Sequence, residues 1–73
     1  MSNFKEGDRV VTPSHGAGTA VCWDMANDAW PGQPVRMINT GRLGIKLDNA
    51  SLYPWFRDGI AYFYPNDLTA EVL

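Results

Sequence analysis

The clearest pattern in the chain runs from Arg42 to Asp48, where Leu43, Ile45 and Leu47 alternate with Arg42, Gly44, Lys46 and Asp48. A period of two puts the apolar set on one face of a half-buried antiparallel strand. Two other runs carry the β-branched and aromatic residues that suit a pleated surface, Arg9–Thr12 and Ile60–Tyr64. In the latter, Tyr62 and Tyr64 share a face with Ile60, and Phe63 lies opposite. Thr19–Trp23 is a further extended run, and Thr69–Val72 a short closing strand. Asp48–Ser51 and Arg57–Gly59 are turns, Leu52–Phe56 is an aromatic loop broken by Pro54, and Pro65–Leu68 reads as a single 3-10 turn. Four or five short strands without a long helix predict an all-β fold, a small antiparallel barrel. It spans residues 1–73 as one domain.

The opening segment has its own logic. Gly7-Asp8 starts the first strand, and Pro13, which has no N–H for a sheet ladder, ends it or confines it to an edge. Ser14-His15-Gly16-Ala17-Gly18 supplies a turn, with Gly16 and Gly18 free to adopt positive φ. The product is a hairpin. Met1–Asn3 reads as a frayed end. Asp24–Gly41 is the least regular stretch: Met25–Trp30 has the length of one helical turn, Pro31-Gly32-Gln33-Pro34 breaks any helix, and Val35–Ile38 is a short strand or a loop edge. A long irregular loop in a small domain points to function.

Composition narrows the classes. Seventy-three residues with 45% hydrophobic content and nine aromatics describe a folded chain near the lower size limit for an unaided core. Six basic against eight acidic residues leave a net charge of −2, which does not suit the counterion release that drives nucleic-acid binding. A protein partner fits better. The lone Cys22 forms no intramolecular disulfide and suits a reducing compartment. No apolar run approaches the roughly 20 residues of a membrane span, and no signal peptide is visible, so a soluble cytoplasmic monomer is expected.

Little in the chain suggests catalysis. His15 is the single histidine, so a two-histidine metal site is excluded, and no metal or cofactor is expected. A Cys22–His15 dyad lacks an orienting third group, and a buried inert thiol with a turn histidine is the simpler reading. The aspartates fall at turn positions, where capping explains them. Gly16-Ala17-Gly18 lacks the strand–helix setting of a dinucleotide loop. Binding features stand out more. Trp30, between Ala29 and Pro31, is either an interface anchor or a lid on the core. Tyr53-Pro54-Trp55-Phe56 is either a recognition patch or a cap over one end of the barrel.

The segment Phe4-x-x-Gly7-Asp8-x-Val10-Val11-x-Pro13-x-His15-Gly16-x-Gly18-x-x-Val21 resembles the opening hairpin of the RNA-polymerase-interaction module of the CarD family and of transcription-repair coupling factors. It departs from that pattern in carrying Thr19-Ala20 where one residue usually precedes the valine. The resemblance implies an SH3-like or Tudor-like barrel, and the Pro-x-Asp-Leu turn before the last strand is similar to the ending of such folds. In size and charge the chain also resembles the small bacteriophage-encoded regulators that bind host bacterial RNA polymerase, such as antiterminators and initiation inhibitors of Xanthomonas phages. That likeness implies a non-enzymatic protein docking on a large polymerase subunit, blocking initiation and promoting antitermination. The expected contact residues are Phe4, Lys5, Arg9, His15, Trp30 and Arg36. The alternatives are a phage-particle component or a reader of methylated ligands built on an aromatic cage.

Overall fold

A computed structural model describes residues 4–71. The frayed end expected at Met1–Asn3 and the Val72 end of the last strand lie outside the described residues. Five strands form one antiparallel sheet: β1 (Arg9–Thr12), β2 (Gly16–Asn27), β3 (Met37–Leu47), β4 (Ile60–Phe63) and β5 (Thr69–Ala70). Their order is β4-β3-β2-β1-β5, a meander whose last strand returns to pair with the first. The sheet is open, with β4 and β5 as its edges. No α-helix occurs among the described residues.

The first hairpin closes as its residues predict. Pro13–His15 form a three-residue loop between the paired Thr12 and Gly16, and Gly16 takes φ 77, a left-handed conformation cheap only for glycine. The buried Thr12 hydroxyl donates to the Gly16 carbonyl at 2.8 Å and accepts the His15 N–H at 2.9 Å, so no polar group is stranded. Gly18, by contrast, is needed for space, because a Cβ there would stand 2.5 Å from the Lys46 carbonyl oxygen.

The core forms on one side of the sheet. Leu43, Ile45 and Leu47 are all buried, as their alternation requires, against Val10, Ala20, Ala61 and Leu68. Phe4, Trp23, Tyr53, Phe56 and Phe63 pack around that cluster. Each fully buried aliphatic side chain contributes about 1.5–3 kcal/mol.

Two expectations need correction. Residues 24–41 are not one irregular loop: β2 continues to Asn27 and β3 starts at Met37, joined by the pairs Met25↔Asn39, Ala26↔Ile38 and Asn27↔Met37. The helical turn at Met25–Trp30 loses to this cross-strand pairing, which local sequence does not display. Asn27 Oδ1 then accepts the N–H groups of Ala29 and Arg36 at 3.0 and 3.2 Å and closes the loop. The second correction is the number of 3-10 turns. Besides the expected one at Pro65–Asp67, turns form at Ala50–Leu52 and Arg57–Gly59. Both close through short backbone bonds, Tyr53 N–H to Ala50 at 2.9 Å and Gly59 N–H to Phe56 at 3.2 Å.

Candidate protein-docking surface

β2 and β3 are much longer than their neighbours. Beyond the region flanked by β1 and β4, they continue as a two-stranded arm that carries the molecule to a length of 48 Å against a thickness of 18 Å. Between Trp23 and Leu43 no residue is buried. At about 3.3 Å per residue, the run from Asp24 to Trp30 extends the arm by roughly 20 Å.

The arm is unusually apolar for exposed chain. Trp30 is 81% exposed, Val35 72%, Met37 53% and Met25 48%. Register puts Met25 and Met37 on one face, with Asn27 and Asn39, and Ala26 and Ile38 on the other. At the tip a cavity of about 350 Å³ opens between Asp28, Ala29, Trp30, Gln33, Pro34 and Arg36. Its rim carries both charges, Arg36 Nε lying 3.6 Å from Asp28 Oδ1. An apolar wall with paired charges at the edge is the build of a protein contact: a large aromatic to desolvate and a polar rim to orient.

Two irregularities mark the root of the arm. Between Ala20↔Ile45 and Cys22↔Gly44, β2 carries an extra residue, Val21. Between Trp23↔Leu43 and Met25↔Asn39, Asp24 alone faces Thr40, Gly41 and Arg42. Gly41 takes φ 90 there. Bulges of this kind bend the strand and tighten its twist.

The opposite end of the molecule is aromatic but mostly closed. His15 stacks edge-on against Tyr53 and Phe56, with ring centroids at 4.6 and 5.1 Å, and lies 5.8 Å from Phe63. Ser14 Oγ and His15 Nδ1 are hydrogen-bonded at 2.6 Å. The imidazole is thus packed against all three rings. Tyr53 and Phe56 cap the core, whereas Trp55, at 69% exposed, and Leu52 face outward.

The six expected contact residues divide into three groups. Trp30 and Arg36 stand together at the arm tip. His15 lies at the far end of β2, eleven residues before Ala26 and inside the aromatic cap. Phe4, Lys5 and Arg9 lie between. Phe4 packs on the core and Lys5 is exposed. Arg9 is engaged internally: Nε donates to Glu71 at 2.9 Å, Nη1 to Thr19 at 2.9 Å, and Nη1 and Nη2 to Asp48 at 2.8 and 2.5 Å. The Asp48 bond first, and Glu71 second, hold the guanidinium above its ordinary pKa, and Arg9 in turn lowers Asp48. Sequence reasoning passed over Met25, Val35 and Met37. Their signal was a set of large apolar residues beside a Pro-Gly turn with no buried face to serve.

Among the described residues no cluster of three or more His, Cys, Asp or Glu side chains is placed to hold a metal ion. Cys22 lies midway along β2, seven residues from His15, with its Sγ 4.0 Å from the Tyr62 hydroxyl. That contact, then burial, pushes the phenol above its ordinary pKa. No helix is long and apolar enough to cross a membrane among the described residues. No family model, curated protein or solved structure matches the chain.

Proposed function

We propose that this chain is a non-enzymatic regulator of phage type that docks on a large subunit of bacterial RNA polymerase. By this reading it inhibits initiation and promotes antitermination through protein contacts alone, acting as a monomer in the host cytoplasm. The observation that carries the proposal is the exposed apolar arm, because it offers Trp30, Val35 and Met37 to a partner while serving no core of its own. The likeness of the first hairpin to the polymerase-interaction module of the CarD family supports polymerase as the partner. The meander order with β5 on β1 suits an SH3-like or Tudor-like barrel, the fold that likeness implies. The net charge of −2 favours a protein over nucleic acid.

The test is surface binding to purified bacterial core polymerase, paired with transcription from a template carrying a promoter and a terminator. The expected result is saturable binding, less promoter-initiated product and more readthrough. Trp30→Ala should weaken binding about thirtyfold, the loss of one interface anchor of about 2 kcal/mol. Wild-type protein that neither binds polymerase nor changes either product would refute the proposal.

A further inference from the structure

A two-stranded ribbon is at best marginally stable in water and should move independently of the sheet it leaves. At the root of this arm, however, one carboxylate crosses the register break. Asp24 Oδ2 accepts the Thr40 hydroxyl at 2.8 Å and Arg42 Nε at 3.0 Å, and Arg42 Nη2 also donates to it. The Thr40 hydroxyl in turn accepts the Arg42 backbone N–H at 3.4 Å, and the Gly41 N–H bonds Asn39 Oδ1 at 2.8 Å. The Asp24 side chain is only 17% exposed, although most of its surroundings are open. Arg42 also reaches sideways, its guanidinium carbon 5.8 Å from the centre of the Tyr62 ring on β4. Tyr62 packs over Gly44, where a Cβ would meet its ring and Cys22 Sγ at 2.9 Å each. A continuous path of contacts, Thr40–Asp24–Arg42–Tyr62, thus runs from the arm into the edge of the sheet.

We infer that Asp24 is a positioning residue that locks the arm at a fixed angle, so that the partner meets Trp30 on a lever already set for binding. The inference rests on the reading of the arm as the docking surface. Its physical basis is that three donors converge on one carboxylate oxygen across the point where the β-ladder is interrupted. The ladder cannot supply rigidity there, because Asp24 stands against three residues of β3. Gly41 at φ 90 supplies the bend, and the carboxylate fixes it. A preset arm spares the partner the ordering cost of a mobile one.

The prediction separates Asp24 from Trp30 kinetically. If unlocked protein presents the arm correctly only part of the time, apparent affinity falls by that fraction, and the loss lies in the association rate. Once bound, the same Trp30 contacts hold, so dissociation is unchanged. Trp30→Ala should do the reverse, since losing contacts raises the dissociation rate.

The experiment uses the full chain with Asp24→Ala and, as a milder variant that keeps side-chain volume, Thr40→Val. Backbone ¹⁵N relaxation is read first. In wild type, order parameters of residues 27–37 should match those of β1 and β4, near 0.85; in both variants they should fall below about 0.6 in the arm while β1 and β4 keep theirs. Binding to core polymerase should then show an association rate reduced several-fold with dissociation unchanged. Arm order parameters that stay at the wild-type level in Thr40→Val, or a loss in Asp24→Ala carried by dissociation, would overturn the inference. A wild-type chain that fails to bind polymerase strikes the docking proposal alone, and the relaxation data then decide the lock by themselves.

Discussion

The base and the arm are made from the same two strands, yet they follow opposite rules. In the base, the pairs Gly18↔Leu47, Ala20↔Ile45 and Trp23↔Leu43 lie over the core, with β1 beside Gly18 and β4 beside Leu43 and Ile45. In the arm, Met25↔Asn39 to Asn27↔Met37 have free edges and two solvated faces. The apolar residues of the base are hidden and those of the arm are displayed. What separates them is the number of neighbours, since β-propensity is largely a statement about what packs against the pleat. A chain of this size has little core to spare, so the apolar side chains left outside it are the surface that the proposed docking would use.

The comparison breaks first at Leu43, which is fully buried. Leu43→Ala should cost about 2–5 kcal/mol, the lost transfer energy plus the cavity left behind. That approaches the whole stability expected of so small a domain, so a large unfolded fraction at 37 °C should appear in urea titrations followed by circular dichroism. A folded variant with an unshifted midpoint would show that the sheet does not depend on this core.

A matched pair of glycines sharpens the contrast. At Gly18 an added Cβ meets the Lys46 carbonyl oxygen at 2.5 Å and Ile45 Cγ2 at 2.6 Å, and the first of these is backbone that cannot swing aside. Gly18→Ala should cost about 1–3 kcal/mol. Gly32, in the arm loop, has φ 87 and open space around it. Gly32→Ala meets only the left-handed penalty, about 1–2 kcal/mol at most, and it acts on a segment that contributes little to global unfolding. The urea midpoint should therefore shift for Gly18→Ala and stay nearly fixed for Gly32→Ala. Equal shifts would mean that arm and base unfold as one unit.

The same contrast explains how much of the molecule its sequence reveals. Arg9–Thr12, Ile60–Phe63 and the 42–48 alternation were legible because each strand buries one face, and burial writes a period of two. The arm buries neither face, so Met25-Ala26-Asn27 and Met37-Ile38-Asn39 carry no period and resemble a loop. Pairing there is set by partners ten to fourteen residues away and by the Asn27 amide that closes the loop. Trp30 and Arg36 were identifiable as residue types in an irregular stretch. Their company with Val35 and Met37, and the engagement of Arg9 with Asp48 and Glu71, needed the fold. Likewise His15 looks like an exposed turn residue until Tyr53 and Phe56 are brought over it.

Acid provides the finest division between the two regions. Asp24, at the root of the arm, titrates below its ordinary value of 3.8, chiefly through the Thr40 hydroxyl and then Arg42. Asp48, in the base, is lowered from the same value by Arg9. A carboxylate whose folded pKa is depressed contributes stability that is complete above its unfolded value and disappears as pH falls through the folded one. Stability should thus be level from pH 7 to about 5 and decline only below 3.8. Both aspartates reach solvent, so the decline should be shallow and should flatten further in high salt. The regions then part by probe. Protonating Asp24 loosens arm amides and leaves the β1–β5 pairing intact, whereas protonating Asp48 loosens the Arg9 contacts and leaves the arm as it was. Hydrogen exchange across pH 5 to 2.5 in Asp24→Asn and Asp48→Asn reads the two separately, each variant removing the acid response of its own region. If either substitution abolished the response of both, the arm and the base would be one electrostatic unit, and the bulge at Thr40–Arg42 would not be the boundary between them.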